Sequence, residues 1–251
     1  MNIVSFLSFI FCFPLLAGHV PTGSIEVDVR LLDRTPELPV VVVDKNVPFC
    51  GEKIKDPILL THEGSVINAV VYLDWQEKTA PPEQPENLSL KTRGCLIEPR
   101  VQTTRTGAFL HLNSGDSITH NPHGWLDGKR TVFNLTLTDP SLSFKRKLRQ
   151  PGQYRIDCDT HSWMRAYILV FDHPYHAVTG ARDKVVINGV PAGQHRIKIW
   201  HEVLGEQTHD VIVTAGKTTY LQPAYRLKDH REEKLKPETV THWPAKVGLD
   251  D

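Results

Sequence analysis

Polar and apolar residues alternate with a period of two along most of this chain, and that rhythm limits what it can fold into. In IEVDVRL, Ile25, Val27, Val29 and Leu31 fall on one face while Glu26, Asp28 and Arg30 fall on the other. This is the pattern of a strand buried on one side. SVINAVVYLDW repeats it with Ile67, Ala69, Val71, Leu73 and Trp75. Further runs follow at GAFLHL, TVFNLTL, QYRIDC and AYILVFD, the last apolar on both faces like a central strand. No stretch carries an amphipathic helical stripe. The chain reads as all-β.

After Asp172 the pattern restarts. VVINGVPAGQHRIKIWHE, DVIVTAG and TTYLQPAYRL give short strands between Gly and Pro turns, enough for a second, small β-sandwich. The division expected is therefore 20–172 and 173–228, followed by a highly charged, mobile tail over 229–251. TAPPEQPENLS is a proline-rich polar loop inside the first part.

The first eighteen residues, MNIVSFLSFIFCFPLLAG, form an uncharged apolar run ending in small residues. It is short for a membrane span and reads as an export signal over 1–18, cleaved or kept as an anchor. No other segment is expected to span a bilayer, so the destination is the periplasm or cell envelope. Lysine plus arginine and aspartate plus glutamate both number 29 among the 251 residues. A neutral chain lacks the basic face that nucleic acid requires.

Export changes the reading of the cysteines. Cys12 lies in the signal, leaving Cys50, Cys95 and Cys158, an odd set for an oxidising compartment. Cys158 has a histidine and a methionine close by and is the one left unpaired. Cys50 and Cys95 then form the disulfide.

In QYRIDC, Tyr154, Ile156 and Cys158 share the inward face. His161 and Met164 follow at spacings of three in a short loop. A fourth donor is available upstream in SITHNPHGW, where the candidates are His120 and His123. Zinc favours four strong donors and gains little from a thioether, and calcium and magnesium want oxygen. Two imidazoles, a thiolate and a weak thioether suit copper, which shuttles between two oxidation states. Asn121, beside His120, is placed to hydrogen-bond to the Cys158 loop.

Cys-x₂-His-x₂-Met after a strand, with His-Asn upstream, resembles the type 1 copper loop of cupredoxins, amicyanin among them. HNPHGW, RQPGQYRIDCDTHSWMRAYILVFDHPYHAVTG and VPAGQHRIKIWHE are similar to bacterial exported plastocyanin-like proteins. In that family a carboxypeptidase regulatory-like (transthyretin-like) sandwich follows the copper domain. The resemblance covers about residues 20–227 and implies a cupredoxin-like Greek-key β-sandwich followed by the smaller one. Carried over by position, it makes His120, Cys158, His161 and Met164 the ligands of one copper ion and gives Asn121 the supporting role. The stretch 20–100 becomes an N-terminal extension of the first domain. His176, Ser162 and Trp163 depart from the family's pattern.

The activity expected is one-electron transfer with a redox partner protein, through an exposed His161 imidazole that Trp125 and Trp163 would surround. Copper capture and delivery is the alternative. A carbohydrate- or envelope-binding module, working through the second sandwich, is a further one. No enzyme activity is expected: there is no Gly-rich phosphate loop, no GxSxG elbow and no obvious carboxylate pair. Cys158 as a nucleophile would need a base and an orienting partner, and it sits among better metal donors than bases.

Overall fold

The computed structural model describes residues 20–77, 84–181 and 184–227. The stretches read above as an export signal and a charged tail lie outside the described residues. Within them the all-β expectation is met, with the four-residue turn Val47–Cys50 as the one helix.

Two sheets face each other around the first core. One has five strands, in the order Val101–Arg105, Arg165–Phe171, Gly152–Cys158, Pro122–Leu126 and Arg130–Asn134. The other has four, in the order Ser143–Lys147, Phe109–Ser114, Leu88–Arg93 and Leu96–Glu98. Alternation becomes burial here: Tyr154, Ile156 and Cys158 point inward, with Arg155 and Asp157 between them. Arg165–Phe171 is buried at every position but its last, as its run of apolar residues requires. Leu90, Leu110 and Leu112 from one sheet pack against Ile156, Ile168 and Phe133 from the other. Each such side chain contributes about 1.5–3 kcal/mol by leaving water.

The second core departs from the sequence-based division at residue 172. Thr22–Asp28 lies between Lys184–Pro191, antiparallel, and Thr218–Leu221, parallel. Val70–Leu73 lies between His176–Val178 and Gly193–His201, with Gly205–Val213 beyond. Ile25, Val27, Val71 and Leu73 therefore share a core with Val185, Ile197, Ile199 and Val213. Residues 20–31 and 58–73 belong by pairing to the second sandwich and do not extend the first. Alternation reveals which face of a strand is apolar but not which distant strand lies beside it.

Between these segments the chain crosses over once more. Val40–Val42 and Lys53–Lys55 form a separate two-stranded hairpin. Its Val41, Val43 and Ile54 sit in the first core. Where the sandwiches meet, the buried Arg100 guanidinium makes a two-pronged ion pair with Glu202 at 2.7 and 2.8 Å and reaches Asp56 Oδ1 at 2.7 Å. Val70, Val101, Tyr167 and Leu169 form the apolar part of this junction.

Candidate metal centre

The strand Gly152–Cys158 ends on Cys158, whose side chain is turned inward and 3% exposed. A tight return follows. Met164 N–H donates to His161 O at 3.0 Å and Cys158 N–H to Met164 O at 3.2 Å. This folds His161 back over the cysteine. Pro122 is the register partner of Cys158 on the neighbouring strand, which brings His120 and Asn121 alongside. Asn121 N–H donates to Cys158 Sγ at 3.3 Å, and Asp159 N–H donates to Asn121 O at 3.0 Å. A reciprocal backbone bridge to Leu137 fixes His120 from the other side.

His120 Nδ1 and His161 Nδ1 are 3.1 Å apart, and Cys158 Sγ is 3.6 Å from His161 Nδ1. The three donor atoms lie within 4.8 Å of one another. Both rings are completely buried, at 0% exposure. Their outer nitrogens are each engaged. His120 Nε2–H donates to Asp116 Oδ2 at 2.9 Å, and His161 Nε2–H donates to Asn46 Oδ1 at 2.9 Å. A neutral imidazole protonated at Nε2 carries its lone pair on Nδ1. Two lone pairs and a sulfur thus face one point.

Facing lone pairs need a shared proton or a metal cation between them. Burial, against the opposing pull of Asp116, holds His120 below the usual histidine range. Burial, then the neighbouring His120 and Lys45, pushes His161 down to about 4. A charged imidazolium between them is therefore disfavoured near neutrality. Burial also raises the Cys158 thiol, opposed by the Asn121 N–H, so a thiolate here requires a cation. The separations suit donors sharing one first-row ion at about 2.0–2.3 Å. Among the described residues, no fourth histidine, cysteine or carboxylate joins the group. This donor set fits copper better than zinc.

Met164 is fully buried beside these residues, and its backbone closes the loop. His123 lies elsewhere: its ring stacks on Trp125 at 4.0 Å, and its nitrogens meet Asp159 and Thr131. Asn121 does link the two ligand segments, but through its backbone. Its side chain donates to Asn134 Oδ1 and Leu135 O.

The expected exposed His161 edge is corrected by the burial of the ring, as is the apolar patch around it. Trp163 is only 5% exposed, its indole N–H donates to Cys95 O at 2.9 Å, and its ring lies 5.2 Å from His161. The disulfide between Cys50 and Cys95 is present, and Cys158 is free.

Two residues the sequence reading missed, Asp116 and Asn46, complete the surroundings. Asp116 stands four positions before His120 in a polar turn and also accepts N–H groups from Gly94 and Cys95, at 2.7 and 3.1 Å. That spacing is a usable signal. Asn46 arrives from 115 positions away and has none.

Fold and cluster together define an all-β chain with a thiol and two imidazoles buried and converging on one point. No family model and no curated protein matches this chain. Among solved structures it is similar to a copper-containing nitrite reductase from Thermus scotoductus, at 18% identity over 36% of this chain and 23% of that one, with a TM-score of 0.31. It is similar to a purple cupredoxin from Nitrosopumilus maritimus at 18% identity over 34% of this chain and 99% of that one, TM-score 0.29. A reduced amicyanin variant aligns at 15% identity over 41% and 98%, TM-score 0.30.

Proposed function

We propose that His120, Cys158 and His161, with Met164, hold one copper ion and that the protein carries single electrons between partner proteins. The observation that supports this most is the pair of Nε2 hydrogen bonds, to Asp116 and Asn46, which turn both Nδ1 lone pairs toward the Cys158 sulfur. Copper so held supplies a one-electron couple. The chain's own residues do the rest. Asp116 and Asn46 keep each ring in one tautomer and orientation, so little has to move when charge changes. The Asn121 N–H stabilises negative charge on the sulfur. Trp163 and the first core exclude water. No substrate is transformed in this reading. The disulfide suits an exported chain in the periplasm or envelope.

Complete burial of both imidazoles favours the carrier over copper delivery, which needs an open ligand edge. The test is to express the chain, add Cu(II), and record metal content with visible and EPR spectra. Wild type should bind one equivalent with an intense thiolate-to-copper band, and Cys158→Ser should lose both. Identical behaviour of the two forms overturns the proposal.

A further inference from the structure

We propose that the tip of the hairpin Val40–Val42/Lys53–Lys55 is a latched cover. Asn46 positions His161 from outside, the Cys50–Cys95 disulfide keeps Asn46 there, and a bound ion leaves only as fast as this cover opens. The second half rests on the metal reading above; the first stands on the chain alone.

The geometry is that of a lid with one contact point and one fastening. His161 is fully buried, yet Asn46, which caps it, is itself exposed. Asn46 adopts a left-handed backbone, φ 53°, and starts the helical turn Val47–Cys50. Phe49 N–H and Cys50 N–H both donate to Asn46 O at 2.9 Å. The residue that caps the ring and the cysteine that forms the disulfide are thus one tight turn. An isolated two-stranded hairpin is marginal in water. Here Val41, Val43 and Ile54 in the core and the Asp56–Arg100 ion pair hold its base, and the disulfide holds its tip.

The far end of the disulfide is equally informative. Cys95 is completely buried. Its N–H donates to Asp116, the partner of His120, and its carbonyl accepts the indole N–H of Trp163, which flanks His161. One covalent bond therefore ties the group that orients His161 to the group that orients His120. Asn46 is a positioning residue, acting on the ion only through the imidazole.

The test uses the full chain and four forms: wild type, Asn46→Gly, Asn46→Asp, and the double variant Cys50→Ser with Cys95→Ser. Glycine keeps the left-handed backbone unstrained while removing the acceptor. Aspartate tolerates that backbone and restores an acceptor.

In the first measurement, the ring N–H of His161 is followed by nitrogen-resolved NMR in the metal-free chain. A slowly exchanging Nε2–H is expected in wild type and Asn46→Asp, and its loss in Asn46→Gly and the double serine form. In the second, each form is loaded with Co(II) and its thiolate band is followed after a chelator is added. Release should be at least about tenfold faster in Asn46→Gly and the double serine form, with Asn46→Asp near wild type.

If all forms keep the slow ring N–H, or release Co(II) at one rate, the cover is overturned. If wild type takes up no ion, the metal reading and the release half fall together, while the NMR comparison still judges the positioning. Should the double serine form fail to fold, Asn46→Gly decides.

Discussion

Asp116 carries more of the site than its place outside the donor cluster suggests. It is 3% exposed and accepts three hydrogen bonds, from Gly94, Cys95 and His120. Removing it leaves the buried Cys95 amide, the exposed Gly94 amide and one imidazole N–H without that acceptor, and frees His120 to present either nitrogen. Asp116→Ala is expected to weaken Cu(II) binding by about 10–100-fold, with a visible band shifted in position as well as intensity. Titration against a competing chelator checks this, and unchanged affinity counts against the role given to Asp116. Legibility at this scale was uneven. Cys158, His161 and His120, which the fold brings together, stood in short motifs whose chemistry can be read directly. The burial of His161 could not be read, because the cover comes from a hairpin far away in sequence.

At the level of strands, the period of two located most elements. It failed where backbone conformation intervenes: SVINAVVYLDW reads as one strand but breaks into Ser65–Val66 and Val70–Leu73, with Asn68 between them at φ 67°. Gly124 shows how close the ladder beside the site is. A Cβ there would meet the Phe133 ring at 2.4 Å, in the strand whose Pro122 pairs with Cys158. Gly124→Ala must push that aromatic ring aside or bend the strand, at about 1–3 kcal/mol. Denaturant unfolding of the metal-free chain should show this loss, and a variant as stable as wild type would mean that Phe133 moves freely. Pairing partners were the illegible part. Thr22–Asp28 and Lys184–Pro191 are both plain alternating runs, and nothing local says that they adjoin.

For the molecule as a whole, acid is the expected weakness. His173 and His201 are each pushed down to about 4, and His176 to about 3, in every case chiefly by burial. Unfolded, each would titrate at 6.5. Above that value both states are neutral and these groups contribute nothing to the pH dependence. Below it the unfolded chain takes up protons that the folded chain refuses. Stability therefore falls as pH drops from 6.5 toward 4, each imidazole costing up to about 1.4 kcal/mol per pH unit. Denaturation midpoints of the metal-free protein should decline from pH 7 to pH 5, and a flat profile would mean that these rings are solvated. No helix among the described residues is long and apolar enough to cross a membrane.

The interleaving of the two sandwiches has a consequence for how such a chain is made. Thr22–Asp28, the earliest described strand to emerge, finds its neighbours only when residues 184–191 and 218–221 have followed. Until residue 221 has been made, that strand offers an open edge to any other chain nearby. Truncation after residue 172 would leave it permanently in that condition, so the half that holds Cys158 cannot simply be cut out together with residues 22–28.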